Sequence, residues 1–369
     1  MSFTKIFNSE SFNDVYDPLD VVATTDSGYL LLAAKSSWSP YLLKADAQGV
    51  FSWDQTLPEP FVNPLPDIYS LGNELFIICM DELNLSTYIL RIQASGGQPE
   101  IVYNDDELTY PLAASITPDG GWLLQGYNRE GRQTLISKIS PGFTREWRQT
   151  YPILEDVEEK VIKHLSRTGQ RLPFFNGYAA GSGNAGFYYF NGFNNFTLSL
   201  TFIDPTNGEQ IGVMNGFRDL SYISAALPLE GELFALAKNS YGDNYLFPQS
   251  IVNERSISAS NELEANNFPE IAPDARVLIS REQILGREVL LFNTHTKSKR
   301  LVIYAYDAAD GSLIGLKYLG QTSPYETGNL VRTQDGGLMV MGKTYVAGRF
   351  PRLCLFKLTK EEVEDILLR

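Results

Sequence analysis

The residues able to do chemistry are few and scattered. Asp26, Asp119 and Asp335 each stand in a turn closed by glycine, where a calcium loop would hold its ion. Calcium needs several oxygen ligands converging on one loop. Each of these turns brings a single Asp, so the expected role is an Asp capping its own turn. His164 and His295 have no Ser, Cys or carboxylate neighbour at a catalytic spacing, and surface or rim positions are expected for both. Cys79 and Cys354 lie in the apolar runs 75–80 and 353–358, where a thiol serves as a small buried hydrophobe and stays reduced. Two Cys and two His can hardly assemble a zinc site, and no metal is expected. The neighbours Asp105/Asp106 and Glu158/Glu159 read as solvated faces, because adjacency in sequence does not set the carboxylate separation that hydrolysis needs. Nucleophile elbows, phosphate-cradling glycine loops and H-E-x-x-H are absent, so no catalytic residue is assigned.

Composition narrows the class. The 369 residues carry 44 acids against 30 Lys and Arg, a net charge of −14, which opposes sequence-independent binding to phosphate backbones, so no nucleic-acid partner is expected. A hydrophobic content of 43% is that of a folded chain. There is no apolar run of transmembrane length. Thirty Gly, 19 Pro and 12% aromatic residues point to many strands joined by tight turns.

The elements that must position any site come from a repeat. Segments 25–32, 117–124 and 333–340 each read as a polar Asp-containing turn followed by an apolar run, the pattern of a hairpin between antiparallel strands. Weaker copies start near Gly72, Gly186, Gly231 and Gly286. With Gly28, Gly121 and Gly337 they mark seven units of propeller-blade length. Third strands follow at 41–46, 88–93, 135–140, 198–203, 302–307 and 353–358, and fourth strands at 51–56, 145–150 and 312–317. The fifth unit is the poorest copy, with no clean fourth strand after 245–248. The seventh stops after its third strand, while residues 3–7 have fourth-strand character. The expected fold is therefore all-β: a single domain over 1–369, a seven-bladed β-propeller of four-stranded antiparallel blades. Its ring is closed by the N-terminal strand completing the last blade. An insertion at about 154–172 has helical spacing, and a Thr359 cap with Glu362 predicts a short helix at about 359–368.

The motif Thr-x-Asp-Gly-Gly with its apolar run, then Leu-x-Lys and a Gly-x-x-x-Trp strand, resembles bacterial β-propeller repeat proteins. The resemblance implies the propeller fold and an exported location, periplasmic or lipid-anchored, with a signal absent from this chain; the plain amino terminus leaves the cytoplasm as the alternative. It carries over no catalytic residue. The stretch 45–53, with Gly49 and Trp53, is also similar to the Trp-docking repeat of quinoprotein propellers, which use a quinone. Trp53 and Trp147 read instead as packing between neighbouring blades, and no cofactor is expected.

Such a fold gathers turns from different units, and the expected ligand-binding residues are Tyr16, Trp38, Tyr127, Arg129, Tyr241, Tyr325 and Arg349. Aromatic faces with planar donors suit a protein or carbohydrate ligand. The leading expectation is a non-catalytic binding or scaffold propeller. The alternative is a glycoside hydrolase or lyase with carboxylates from different blades meeting in the central funnel.

Overall fold

Runs such as Leu30–Ala33 and Ile77–Met80 are apolar at every position, and both faces of their strands are buried. A strand needs that composition only when a sheet covers it on each side. Outer strands alternate instead: Phe51–Thr56 shows one face to solvent and half-buries the other. The computed structural model describes residues 1–8, 14–36, 38–181, 186–273, 275–320, 323–346 and 350–368, with the side chains of Val346 and Phe350 left aside.

The described strands form seven sheets, and the chain is a seven-bladed β-propeller. Blade one comprises Tyr16–Ala23, Tyr29–Lys35, Pro40–Ala45 and Phe51–Thr56. Blade two is built on Glu74–Asp81, Ser86–Ile92 and Glu100–Thr109, with the short strands Phe61–Val62 and Tyr69–Leu71 on its first side. Blade three comprises Pro111–Ile116, Trp122–Asn128, Gln133–Ile139 and Arg145–Pro152. The insertion then forms the helix Glu158–Leu165. Blade four comprises Phe175–Ala179, Phe187–Asn194, Thr197–Ile203 and Gln210–Asn215, and takes Ile257–Ala259 as a parallel fifth strand. Blade five keeps three strands, Ser221–Pro228, Leu233–Ser240 and Asp243–Ile251. In place of its fourth, a single bridge joins Tyr245 to Asn267. Blade six comprises Leu278–Ile284, Arg287–His295, Leu301–Asp307 and Leu313–Leu319. Blade seven pairs Tyr325–Arg332, Leu338–Val346 and Phe350–Leu358 with the N-terminal strand Phe3–Ile6, Phe3 opposite Lys357 and Ile6 opposite Cys354. The C-terminal helix Lys360–Glu364 starts on a Thr359–Glu362 capping box, as its sequence predicts. By contact density the chain divides into two compact units. One holds 1–77, 91–100 and 270–369, and the other holds 78–90 and 101–269.

The Asp turns have a structural task. In blade one Lys44 is buried, and its Nζ donates to Thr24 Oγ1 at 3.0 Å, Asp26 Oδ1 at 2.9 Å and the Ala45 carbonyl at 3.3 Å. Lys357 repeats this with Thr333 at 3.0 Å, Asp335 at 2.8 Å and the Leu358 carbonyl at 2.9 Å. Lys138 uses Asp119 at 2.8 Å, the Ile139 carbonyl at 3.1 Å and Glu146 at 3.3 Å. In all three turns the Thr hydroxyl also donates to the Asp at 2.5 Å. The equivalent Thr in blade one is thus Thr24, one residue before the one the sequence pattern starts from. The two glycines of Asp-Gly-Gly do different work. Gly120 and Gly336 take the left-handed φ, at 81° and 79°, where blade one uses Ser27. Gly28, Gly121 and Gly337 leave room for the lysine: a Cβ on Gly337 would stand 2.3 Å from Lys357 Nζ and 2.1 Å from the Leu358 carbonyl.

Adjacent blades dock through outer-strand aromatics. Phe3 lies against Gly49, Trp53 against Gly96, and Trp147 against Gly208, with the Trp147 indole donating to the Pro205 carbonyl at 3.0 Å. Both tryptophans are half-buried rather than fully enclosed, because their strands are the outermost of their blades. Cys79 and Cys354 are buried free thiols, and burial pushes both well above the usual thiol range.

Hydrogen bonds from Thr24 and Lys44 hold the Asp26 carboxyl down at about 2, and at Asp119 and Asp335 the lysine and threonine bonds outweigh burial to the same effect. Their stabilisation is complete above the unfolded-state value near 3.8 and is lost as pH falls from about 4 toward 2. Asp335→Ala leaves a buried ammonium short of an acceptor. It should cost about 1–3 kcal/mol in urea unfolding at pH 7, with a smaller difference from the parent at pH 2.5. Deleting residues 1–8 strips the blade-seven edge and the packing of Phe3 and Phe7. It should lower stability by about 3 kcal/mol or more, one buried and one half-buried aromatic plus a ladder, read as a drop in melting temperature.

Candidate functional site

Every described turn between a second and third strand contains a non-glycine residue with left-handed backbone: Trp38 (φ 62°), Leu85 (64°), Arg132 (48°), Asn195 (54°), Tyr241 (53°) and Lys299 (59°). The conformation turns a backbone group toward a neighbouring connection. The Trp38 carbonyl accepts from Asn63 N at 2.8 Å, Leu85 from Tyr110 at 3.0 Å, Arg132 from Ile153 at 3.1 Å, Asn195 from Leu154 at 2.8 Å and Lys299 from Tyr325 at 2.8 Å. At Tyr241 the amide donates to Leu220 O at 2.7 Å. These bonds explain the backbone and not the side chains, since glycine would adopt the same φ at less cost.

Of the expected ligand residues, Trp38 (39% exposed) and Tyr241 (69% exposed) show their rings to solvent. Arg129 is exposed and pairs with Glu158 at 2.7 Å. Tyr16, Tyr127 and Tyr325 are buried. Tyr16 packs on Tyr41 with centroids 4.9 Å apart, Tyr127 on Tyr110 at 6.1 Å and Tyr325 on Phe356 at 5.1 Å. Their rings pack against protein because they sit at strand ends, pointing into a blade or between blades. Arg349 lies outside the described residues. Two exposed aromatics escaped the sequence reading, Phe196 and Phe217; the signal was a lone aromatic inside an otherwise polar connection.

The acidic neighbours behave as solvated or structural groups. Asp105 is buried, ion-paired with Arg148 and bonded by the Leu108 and Glu107 amides, while Glu159 pairs with Lys163 at 2.6 Å. His164 Nδ1 accepts from Leu172 N at 2.9 Å, with Phe174 edge-on to its ring. His295 departs from its expected surface position: it ends the second strand of blade six, is buried, and accepts from Thr327 N at 3.3 Å. Among the described residues no group of His, Cys, Asp and Glu could hold a metal ion.

A carboxyl pair does form, from residues the sequence did not single out. Asp20 sits where the first strand of blade one shifts register. It is buried, and its Oδ1 accepts from Val21 N at 2.7 Å and Asn329 Nδ2 at 2.5 Å. Its Oδ2 accepts from Ile68 N at 2.6 Å, which brings Asp67 alongside. Asn329 occupies the matching register shift in the first strand of blade seven. Arg276, leading into blade six, donates to the Leu19 carbonyl at 3.3 Å. Burial, then the Asp67 charge, push Asp20 up to about 7 against the pull of its hydrogen bonds. Burial raises Asp67 as well, opposed by Arg276, and burial with both acids raises Tyr69. All five residues lie within one compact unit. A pair in which one member changes charge near neutral pH can give or take a proton.

No family model matches the chain, and no curated protein matches it. Among solved structures it is similar to a quinohemoprotein alcohol dehydrogenase from Pseudomonas putida HK5, with a TM-score of 0.46 and 11% identity over 94% of this chain and 75% of that one. Of the bacterial propeller-repeat resemblance, the seven-bladed fold is what the strand topology shows.

Asp20 gains its proton affinity on folding, so its contribution is unfavourable as pH rises from about 4 and reaches its full cost above about 7. Asp67→Asn removes the like charge and should flatten the fall in melting temperature between pH 5 and pH 8. An unchanged slope would mean that the two carboxyls do not interact.

Proposed function

We propose that this protein is a non-catalytic recognition propeller that takes a protein or glycan ligand on the turns between its second and third strands. One observation carries the reading. At Trp38 and Tyr241 the chain keeps a large aromatic, exposed and pinned by backbone hydrogen bonds, in a conformation that glycine would adopt more cheaply. An exposed aromatic ring on a fixed backbone is an affinity element, since it offers a large contact area and its backbone need not be ordered when a ligand covers it. Action outside the cytoplasm belongs to the same proposal and suits such ligands.

The Asp20–Asp67 pair favours a second reading, a glycoside hydrolase or lyase in which Asp67, half-buried beside Arg276, meets the substrate. A thermal-shift screen of the full chain against a glycan and peptide library, run beside a reducing-sugar assay, separates the two. Recognition predicts a saturable rise in melting temperature that shrinks in Trp38→Ala or Tyr241→Ala, without turnover. Release of reducing ends that stops in Asp67→Asn would replace this reading with the enzymatic one.

A further inference from the structure

Three exposed aromatic rings in one compact unit lie on connections tied to each other. Phe196 is 57% exposed on the turn between the second and third strands of blade four. Phe217 is 52% exposed on the segment joining blades four and five, and Tyr241 is on the next turn, in blade five. Two backbone bonds tie the three connections, Leu198 N donating to the Arg218 carbonyl at 2.9 Å and Tyr241 N to Leu220 O at 2.7 Å, while Phe217 N donates to Ser221 O at 2.7 Å and closes the middle connection on itself. The Phe217 and Tyr241 rings stand 6.3 Å apart and 33° from parallel. The Arg218 guanidinium lies 6.0 Å from the Phe217 centroid, and Arg218 shares the left-handed backbone of Tyr241. Asp219, beside it, is held by Lys160 of the insertion helix at 3.2 Å.

The geometry points to a binding strip for a neutral glycan across Phe196, Phe217 and Tyr241, and this rests on the recognition reading. Polar residues neighbour each ring in the chain, Asn195 at Phe196, Arg218 and Asp219 at Phe217 and Asp243 two residues after Tyr241, and the Arg218 guanidinium reaches the Phe217 ring itself. A pyranose chain carries both kinds of surface, C–H faces that stack on rings and O–H edges that bond to amide, guanidinium and carboxylate groups. A hydrophobic protein partner would want the reverse, a continuous apolar centre with its charges confined to the rim. The net charge of −14 selects further, because it repels uronate or sulfated polymers and leaves neutral ones unaffected. The insertion helix, through Lys160, braces the middle of the strip, which gives that departure from the repeat a task.

Affinity electrophoresis of the full chain through gels containing laminarin, xyloglucan, galactomannan or soluble starch tests the strip. At least one polymer should retard the protein. Phe217→Ala and Tyr241→Ala should each weaken that retardation by about tenfold, the loss of one stacking contact, with melting temperature showing that both variants fold. Tyr241→Phe keeps the ring and should keep binding. Retardation that survives both alanine variants would overturn the strip while leaving glycan recognition elsewhere on the protein intact. Retardation by none of the four polymers would also overturn it, and saturable binding of a library peptide lost in the same variants would assign the rings to a protein partner instead.

Discussion

A buried ammonium group can stay charged only where all three of its protons find acceptors. Lys44 and Lys357 meet that condition with a Thr hydroxyl, an Asp carboxylate and the carbonyl of the following residue, and Lys138 meets it with two carboxylates and a carbonyl. The requirement propagates outward. It places the Asp in the turn, sets the Thr two residues ahead of it, and excludes a side chain at the second glycine, where the lysine passes. It also pins the second strand of the blade to the third at the point where the third shifts register against the fourth, at Lys44/Ala45 and Lys138/Ile139.

The weak copies of the repeat follow from the same constraint. Blades four and six shift register at Phe202/Ile203 and Ala305/Tyr306, so an apolar residue stands where the lysine would be. With no ammonium to satisfy, their turns need neither the Thr nor the Asp, and the sequence drifts. Blade two substitutes Arg91, which reaches Glu74 and Glu100 at 3.0 Å each in a more exposed bridge. Without the lysine knot these blades rest more heavily on apolar burial, which many sequences can supply.

The blades are joined by contacts of a different kind. Outer-strand aromatics press on the glycines of the next blade, and left-handed turn residues hand a backbone group to the neighbouring connection. These bonds run through the backbone, so an exposed turn side chain such as Trp38 can vary without loss of the bond its carbonyl accepts. The Asp20–Asn329 bond works in the opposite way. It ties the first strands of blades one and seven through the buried Asp20 and the half-buried Asn329, and the amide of Ile68 adds blade two to the same carboxylate. A charged group with so many partners is both a fastening and a proton-sensitive point.

By itself the sequence determined the number of blades, the closure of blade seven by residues 3–7, of which Phe3–Ile6 form the strand, the insertion helix and the terminal capping box. Each of these rests on local information: a turn signal, a strand period, or a capping box that spans Thr359 to Glu362. It also marked the fifth unit as incomplete, and the structure finds three strands there. Tertiary structure alone decided which side chains face water. Tyr16, Tyr127 and Tyr325 read as loop aromatics yet are packed against Tyr41, Tyr110 and Phe356, residues contributed by other strands or, for Tyr110, by the connection between blades two and three. It alone joined Asp20 to Asp67 and Asn329, because a carboxylate inside an apolar strand looks like an isolated exception until the register shift aims it at a partner hundreds of residues away. Local rules govern the backbone of a repeat, and the meeting of side chains from different repeats depends on a geometry that no single repeat contains.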